Sequence, residues 1–288
     1  MTAKYQTGAD LFDQWRADVL SGTPPPLYPV SDGGLDVIRI GPKLVTLIGG
    51  APGAGKTAMV MQCAVDALRL TPDLRVLVCN VEMPPTALLD RQLARLSGVD
   101  ASLIRDRTFD REHHEPMEVA FDALAGVAER LSFVRAPFDL KNVAESGDDF
   151  TADVIILDYI QRIRPPGDFA DRRGSVAATM EVIREMADSG VAVVVVAAVS
   201  RQRDKKGRSS YQGDALNLAS FRESSELEFG ADDAFMLVPN GKDDQIILKH
   251  LKSRYGQTGD SILRFDRSLQ RFEALQDEKG YDVEFFGE

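Results

Sequence analysis

A glycine-rich segment of this chain has the spacing needed to bind phosphate groups. Residues 50–57 read GAPGAGKT and fit the P-loop pattern G-x-x-x-x-G-K-[ST], between an apolar run and a helical pattern. Glycines let the backbone curl so that its N–H groups point at phosphate oxygens, and the helix N-terminus adds a favourable partial charge. A chance glycine-rich turn is the alternative. We predict an ATP site formed by Gly50, Ala51, Pro52, Gly53, Ala54, Gly55, Lys56, Thr57 and Ala58.

The same motif predicts a magnesium site. Lys56 would neutralise the β- and γ-phosphates, and the hydroxyl of Thr57 would ligate Mg²⁺. In VIILD, residues 154–158, Asp158 follows an apolar strand that would carry it to the sheet edge beside the P-loop. Helix capping is the ordinary explanation for such an aspartate, but no other acid so directly follows an apolar strand after the P-loop. We therefore predict that Thr57 and Asp158 contact both nucleotide and metal.

The segment VLVCNVEMPP, residues 76–85, places a carboxylate at the end of a predicted buried strand. Two prolines follow it and prevent the strand from continuing. Because this strand is the next one after the P-loop helix, its end is expected to open toward the γ-phosphate. Glu82 could there orient and polarise an attacking water. The alternative is that Glu82 is simply an acid favoured near the start of the following helix.

From residue 44 onward, continuous apolar runs alternate with helical patterns. This alternation predicts an α/β fold with a mainly parallel central sheet covered by helices on both faces. After residue 231 the apolar segments are separated by short turns, which predicts antiparallel strands added at one edge. The predicted strands are 44–49, 76–81, SFVRA, 154–158, 191–199, DAFMLV, QIILKHL and SILRFD. The predicted helices are 56–70, 86–96, one ending near residue 131, a short one from residue 139, and 176–187.

Composition limits the function classes. The 288 residues are 44% hydrophobic and 27% charged, as expected for a soluble protein with one large α/β domain. No apolar run approaches the roughly 20 residues of a membrane-spanning helix, and the N-terminus does not resemble a signal peptide, so we expect a cytoplasmic protein with no membrane partner. Cys63 and Cys79 lie in apolar segments without partner histidines, which favours core positions over a disulfide or zinc site.

The net charge of −11 means that any nucleic-acid surface must be local. One compact basic segment, RQRDKKGR at residues 201–208, follows the strand predicted at 191–199 within a polar loop. Such a loop is uncommon unless it is functional or disordered. If it is functional, its basic side chains suit contacts with nucleic-acid phosphates; a solvated loop is the alternative. The predicted contacts are Arg201, Arg203, Lys205, Lys206 and Arg208.

The two ends of the chain differ from its middle. Residues 8–20 place Leu11, Trp15 and Val19 on one helical face, followed by the proline-rich linker SGTPPPLYP. This helix could dock on a neighbouring subunit or pack on its own domain. We expect an N-terminal helix and linker at 1–33, an ATPase domain at 34–275 and an acidic tail at 276–288.

Five motifs together resemble the ATPase domain of DnaB-type replicative helicases, a RecA-like P-loop NTPase fold. In chain order they are GGAPGAGKT, VLVCNVEMPPTALLDRQLARLSGVD, VIILDYIQRI, FRESSELEFGADDAFML and ILKHLKSRYGQTGDSILRFD. The specific parts are the E-M-P block with its downstream A-R-L-S-x-V-D and the D-Y-x-Q element, because a P-loop alone would also fit recombinases or KaiC-like ATPases. The resemblance covers roughly residues 34–272, and the N-terminal helical domain of full-length family members is not recognised.

The resemblance implies a helicase or translocase motor that hydrolyses ATP between subunits of a hexameric ring around single-stranded DNA, with a loader or another replication partner. It implies that Glu82 is the catalytic glutamate and that Lys252 and Arg254, in LKSRYG, reach the neighbouring subunit's ATP. An arginine supplied by a neighbour would make hydrolysis conditional on assembly. Without the resemblance, two alternating basic residues on an edge strand would be read as a solvated face.

Two departures from the family pattern bear on coupling. The glutamine expected to sense the γ-phosphate corresponds to Ala198, and a glycine of a later motif corresponds to Ser225. These departures leave open a second function, an ATP-dependent DNA-binding or assembly switch that does not unwind DNA. A recombinase-like or KaiC-like ATPase is a third, which the E-M-P block argues against.

Overall fold

A mixed β-sheet is the centre of the structure, which is a computed structural model describing residues 5–31, 34–165, 167, 172–199, 202–203, 209–210, 230–241 and 244–275. Within these residues the sheet has nine strands in the order β11-β10-β9-β8-β1-β5-β4-β2-β3. The strands are β1 (Val45–Gly50), β2 (Val76–Asn80), β3 (Leu131–Phe133), β4 (Val154–Asp158), β5 (Ala192–Ala198), β8 (Asp233–Pro239), β9 (Gln245–Ser253), β10 (Ser261–Asp266) and β11 (Arg271–Ala274). A separate antiparallel pair joins β6 (Gln202–Arg203) to β7 (Ser209–Ser210).

Helices cover the sheet and connect its parallel strands. They are α1 (Gly8–Ser21), α2 (Lys56–Leu70), α3 (Pro85–Ser97), α4 (Ala101–Asp106), α5 (His114–Ala125), α6 (Leu140–Phe150) and α7 (Arg172–Asp188). Short 3₁₀ turns occupy Arg111–His113, Ala128–Arg130 and Ile160–Arg162. In the part of the chain that the structure describes, no helix is long and apolar enough to cross a bilayer.

Strand direction explains why the P-loop and Asp158 lie at the same edge of the sheet. Strands β3, β2, β4, β5, β1 and β8 pair in parallel, so their carboxyl ends lie at the same edge of the sheet. The P-loop follows β1, and Asp158 is the last residue of β4. Carboxyl ends of open parallel sheets are where such folds bind ligands.

The core has a layer on each face of the sheet. One layer packs α2 against side chains such as Ile48, Val78 and Val194, and the other packs α6 and α7 against Leu47, Ile155 and their neighbours. Strands buried on both faces read as continuous apolar runs, which is why the sequence predicted them well. Cys63 and Cys79 are buried in these layers, as predicted.

The predicted fold is confirmed, with three differences in detail. Strand β8 runs parallel to β1, so the antiparallel part begins with β9 and continues through β10. A short strand that the sequence analysis did not include, β11, forms the outer edge. Helix α5 ends at Ala125 rather than near residue 131, because Gly126 and a 3₁₀ turn intervene before β3.

Candidate nucleotide-binding site

A cleft of about 420 Å³ opens where the carboxyl ends of the central parallel strands meet. We call it the nucleotide cleft. It brings together six of the nine predicted P-loop residues with Glu82 and Asp158, which come from three separate segments of the chain; Gly50, Ala51 and Ala54 are not part of its lining. Its lining consists of Pro52, Gly53, Gly55, Lys56, Thr57, Ala58, Glu82, Met83, Arg91, Asp158, Tyr159, Ala198, Phe265, Arg267 and Gln270.

The P-loop has backbone geometry that requires glycine. Gly53 and Gly55 have φ angles of 76° and 89°, in the left-handed region that side chains disfavour. A Cβ atom on Gly55 would lie 2.7 Å from Phe272 and 2.8 Å from Phe265, whose rings stack beneath the loop. Gly55 caps α2 without a side-chain hydrogen bond, so backbone N–H groups of the first helical turn are available to an anion.

Lys56 is held at the floor of the cleft. Its Nζ donates hydrogen bonds to the carbonyl oxygens of Gly50 at 2.8 Å and Ala51 at 3.0 Å. Burial lowers the pKa of Lys56 from its ordinary value, and the negative charges of Asp158 and Glu82 oppose that shift. An ammonium group with little water around it gains more from a phosphate than an exposed lysine does.

Asp158 and Asn80 form a buried polar pair beneath the cleft. The Nδ2 of Asn80 donates to Asp158 Oδ2 at 2.6 Å, while Asn80 Oδ1 accepts the backbone N–H groups of Glu82 at 3.0 Å and Met83 at 2.8 Å. Burial raises the pKa of Asp158, and a hydrogen bond from Thr57 and the charge of Lys56 act in the opposite direction. Asn80 therefore holds Asp158 and the backbone of Glu82 together.

The oxygen atoms of Thr57 and Asp158 suit Mg²⁺. The Thr57 hydroxyl lowers the pKa of Asp158, against the larger effect of burial. Magnesium prefers oxygen ligands and in nucleotide sites usually takes one or two protein ligands, substrate phosphates and waters. A buried carboxylate whose ionised form is disfavoured is a donor that a divalent cation would stabilise, so the residues fit the predicted metal.

Several cleft residues were not identified from the sequence. Arg91 of α3 is half-buried, and burial lowers its pKa while the charge of Asp158 opposes the shift. The Nη1 of Arg267, in the turn after β10, donates to the carbonyl of Gly53 at 2.7 Å and so supports the P-loop. Neither arginine belongs to a phosphate-binding pattern or follows a fully buried strand, and only strand and helix packing brings them to the P-loop.

Ala198, which stands where the family pattern has a glutamine, lines the cleft at the end of β5. The side-chain amide of Gln161, from the D-Y-x-Q element, pairs with its backbone in both directions. Gln161 Nε2 donates to the Ala198 carbonyl and Gln161 Oε1 accepts the Ala198 N–H, each at 3.1 Å. The turn after Asp158 is thereby tied to the strand that leads toward residues 201–208.

The remaining predicted residues lie elsewhere. Lys252 and Arg254 do not line the cleft, because Lys252 pairs with Ala234 near the start of β8, at the opposite edge of the sheet. Of the basic segment, Arg203 is described through its backbone in β6, whereas Arg201, Lys205, Lys206 and Arg208 lie outside the described residues, as does Ser225.

Comparison with known proteins decides the family. Residues 37–274 match the sequence model described as "DnaB-like helicase C terminal domain". The chain belongs to the DnaB-like helicase C-terminal domain family. The resemblance inferred from the five sequence motifs is therefore confirmed, and its limits agree with the match to within a few residues at each end.

Relatives of this DnaB-like domain are distant in sequence. It is 27% identical over 232 residues to the "Replicative DNA helicase DnaB" of Treponema pallidum, covering 78% of this chain and 50% of the relative. It is 23% identical over 238 residues to the "Probable plasmid replicative DNA helicase" of Chlamydia trachomatis serovar L2, covering 80% and 50%. The chain thus spans about half the length of the curated relatives it matches.

Two solved structures share the fold of this DnaB-like domain. One, described as an "ATPase Domain", superposes with a TM-score of 0.80 at 18% identity, over 94% of this chain and 100% of the other. The other, described as "The Structure Of A DnaB-Like Replicative Helicase And Its Interactions With Primase", gives 0.79 at 18% identity, over 95% and 68%. These matches support the predicted RecA-like arrangement of the sheet.

Proposed function

We propose that this DnaB-like domain is a Mg²⁺-dependent ATPase motor that acts on single-stranded DNA as a ring of identical subunits. The observation that carries the proposal is the convergence of Lys56, Thr57, Glu82 and Asp158 on one cleft at the end of the parallel strands. Each of these residue types has a defined task in phosphoryl transfer. Family membership supports the same activity.

In the proposed reaction, the P-loop backbone and Lys56 bind the triphosphate. The N–H groups at the start of α2 and the ammonium group surround phosphate oxygens, so that negative charge is stabilised as it spreads in the transition state. Thr57 and Asp158 would hold Mg²⁺, which supplies further neutralisation of phosphate charge when bound.

Glu82 is proposed to position and deprotonate the attacking water. Glu82 is exposed to solvent and lines the cleft. Within the described residues, the hydrogen bonds of Lys56 and Asp158 go to partners other than Glu82. Glu82 can therefore accept a hydrogen bond from a water with its carboxylate. Its backbone N–H is held by Asn80, which limits how far the carboxylate can wander. A general base must lie within hydrogen-bond reach of the proton it takes, and this restraint favours that geometry.

Assembly is proposed because Lys252 and Arg254 cannot reach the nucleotide cleft of their own subunit. Strand β1 separates the P-loop from the sheet edge that bears Arg254, and its 6 residues extend about 20 Å. Arg254 would instead act on ATP held by the adjacent subunit. The basic segment at 201–208, repeated around a ring, would offer contacts to the phosphates of single-stranded DNA. A replication partner is proposed because the relatives of the chain are described as replicative helicases.

The decisive experiment measures ATP hydrolysis with and without single-stranded DNA, and opening of a forked duplex. Single-stranded DNA should raise the turnover number, and Glu82→Gln should remove hydrolysis while a fluorescent ATP analogue still binds. Hydrolysis that is indifferent to DNA would remove the motor proposal. DNA binding and assembly without fork opening would favour the switch function instead.

A further inference from the structure

Asp232, the residue before β8, joins four elements at the sheet edge opposite the nucleotide cleft. Its side chain is 1% exposed. Its Oδ2 accepts the backbone N–H of Val45, the first residue of β1, at 2.8 Å, and Arg184 Nη1 of α7 at 2.8 Å. Its own N–H donates to the Val45 carbonyl at 2.8 Å. Asp232 is therefore anchored to the strand that carries the P-loop.

The same residue holds Arg254 through both backbone and side chain. The backbone N–H of Arg254 donates to the Asp232 carbonyl at 2.9 Å. The Nη1 of Arg254 lies 2.6 Å from Asp232 Oδ1, in an ion pair that lacks the alignment of a hydrogen bond. The arginine side chain is 43% exposed, so the carboxylate engages one side of the guanidinium while other N–H groups face solvent.

The strand next to this pair is locally irregular. A register shift in the β8–β9 pairing places Phe235 opposite His250 and Ala234 opposite Lys252, which leaves Leu251 as an extra residue in β9. Bulges of this kind redirect the side chains that follow them and are frequent beside functional sites. Arg254 comes three residues after the bulge, so its direction depends on local contacts, and Asp232 provides two of them.

We propose that Asp232 is a positioning residue that aims the guanidinium of Arg254 at the ATP of the adjacent subunit. The inference rests on the proposed function. A long cationic side chain on a sheet edge samples many rotamers, and an ion pair with the buried Asp232 carboxylate restricts those of Arg254. Asp232 also hydrogen-bonds to Val45 at the start of β1. It therefore fixes the Arg254 side chain relative to the strand that carries the P-loop of the same subunit.

The test compares Asp232→Asn with Arg184→Met. Both variants disturb the cluster, but Arg184→Met removes the other cation from the same carboxylate and leaves the Arg254 contact in place. Asp232→Asn should lower the turnover number at saturating ATP at least about tenfold, with the KM for ATP changed less than about threefold. Arg184→Met should match its thermal destabilisation and retain most of the turnover.

Two further measurements exclude a merely structural role. Adding Asp232→Asn to Arg254→Ala should cause no further loss of turnover, because residues acting through one contact are not additive. Mixing Asp232→Asn subunits with Lys56→Ala subunits should restore activity, since the first retain intact ATP sites and the second intact arginines. Should Asp232→Asn be insoluble, Asp232→Ser retains an oxygen for the Val45 N–H and takes its place.

Each outcome decides the inference. Unchanged or raised turnover in the Asp232 variant, an additive double variant, or no recovery on mixing would overturn it. If the unaltered protein hydrolyses ATP but the Asp232 variants do not behave as expected, only the positioning role of Asp232 is removed. If the unaltered protein does not hydrolyse ATP at all, the proposed function is removed, and this inference with it.

Discussion

At the scale of single residues, Asn80 connects the two carboxylates on which the nucleotide cleft depends. Its amide donates to Asp158, and its carbonyl oxygen receives the backbone N–H groups of Glu82 and Met83. Asn80 is buried, so each group left without a partner would cost about 1–3 kcal/mol. The positions of both carboxylates therefore depend on this one amide.

We expect Asn80→Ala to lower ATP turnover at least about tenfold, because a small displacement of a catalytic group is costly. Binding of a non-hydrolysable analogue should change little. Asn142→Ala is a matched control, since the Asn142 amide also makes structural hydrogen bonds, to the carbonyls of Arg135 at 2.8 Å and Pro137 at 2.7 Å, but neither partner lines the cleft. Equal turnover in both variants would contradict the role of Asn80.

Asp158 illustrates a conflict between stability and function. Burial raises its pKa, which means that its ionised form is disfavoured in the folded protein when no metal is bound. We expect Asp158→Asn, studied in EDTA at neutral pH, to raise the unfolding temperature and to reduce Mg²⁺-dependent hydrolysis about 100-fold or more.

The matched control for this variant is Asp153→Asn, near the start of the same strand. Its carboxylate accepts the backbone N–H of Arg75 at 2.8 Å, so weakening that contact should not stabilise the fold. Differential scanning calorimetry distinguishes the two variants. A lower unfolding temperature for Asp158→Asn would mean that its carboxylate is satisfied by its neighbours.

Which candidate site residues the sequence could predict depends on whether a local pattern marks them. The P-loop is one continuous segment, Asp158 ends a buried strand and Glu82 comes two residues after another, so local patterns predicted residues that the structure places in one cleft. Arg267 reaches the Gly53 carbonyl from 214 positions away, and Asn80 reads as an ordinary strand end. Their roles depend on the register between strands, which a single sequence does not specify.

At the scale of elements, a buried ion pair joins α2, which follows the P-loop, to α3, which follows Glu82. Arg95 and Asp66 are bidentate, with N–O distances of 3.0 and 2.9 Å, and Gln92 accepts from Arg95 Nε at 2.8 Å. The arginine side chain is 6% exposed. Such a pair is expensive to break from one side, because the remaining charge stays buried.

We expect Arg95→Met alone to lower the free energy of unfolding by about 3–5 kcal/mol, whereas combining it with Asp66→Leu should recover most of that loss. Urea unfolding measures both. The control is Arg105→Ala, which breaks an exposed pair with Asp106 of similar length, 2.8 Å, and should leave the urea midpoint unchanged. If the double variant is as unstable as Arg95→Met alone, the loss of stability does not come from an unpaired buried charge, and the ion pair itself stabilises the fold.

Elements themselves were predictable to different degrees. Strands β1, β2 and β4 were located to within a residue or so, because each is buried on both faces. Strand β11 is a 4-residue edge strand that is only partly buried, so its sequence RFEA carries little signal. The outer side of that strand is covered by Gln62, whose side chain bonds both the N–H and the carbonyl of Phe272.

At the scale of the whole molecule, the two halves of the proposed active site lie on opposite edges of one sheet. The P-loop is at the carboxyl end of β1, and Asp232 with Arg254 is at its amino end. Under the proposed function, a single chain therefore could not complete the active site by itself. Stacking of subunits around a ring, each offering its arginine edge to the next cleft, would complete it.

Helix α1 bears on how such an assembly is held together. Thr7 caps the helix through a capping box, yet none of its side chains is buried. Leu11, Trp15 and Val19 are 49%, 57% and 59% exposed and lie on one face. Of the two alternatives left open by the sequence, the described residues do not show packing of this face on its own domain, and an exposed apolar stripe of this size favours a protein partner.

We expect replacement of Leu11 and Trp15 by serine to raise the protein concentration needed for assembly at least about tenfold, because docking would bury both side chains. Sedimentation velocity with a non-hydrolysable ATP analogue measures the assembly. Arg16→Ser, on the same helix, should assemble normally. The unfolding temperature of the unassembled double variant should equal that of the unaltered chain, since α1 buries nothing there. A clear fall in that temperature would mean that α1 packs on its own domain, and unaltered assembly would mean that the ring closes without it.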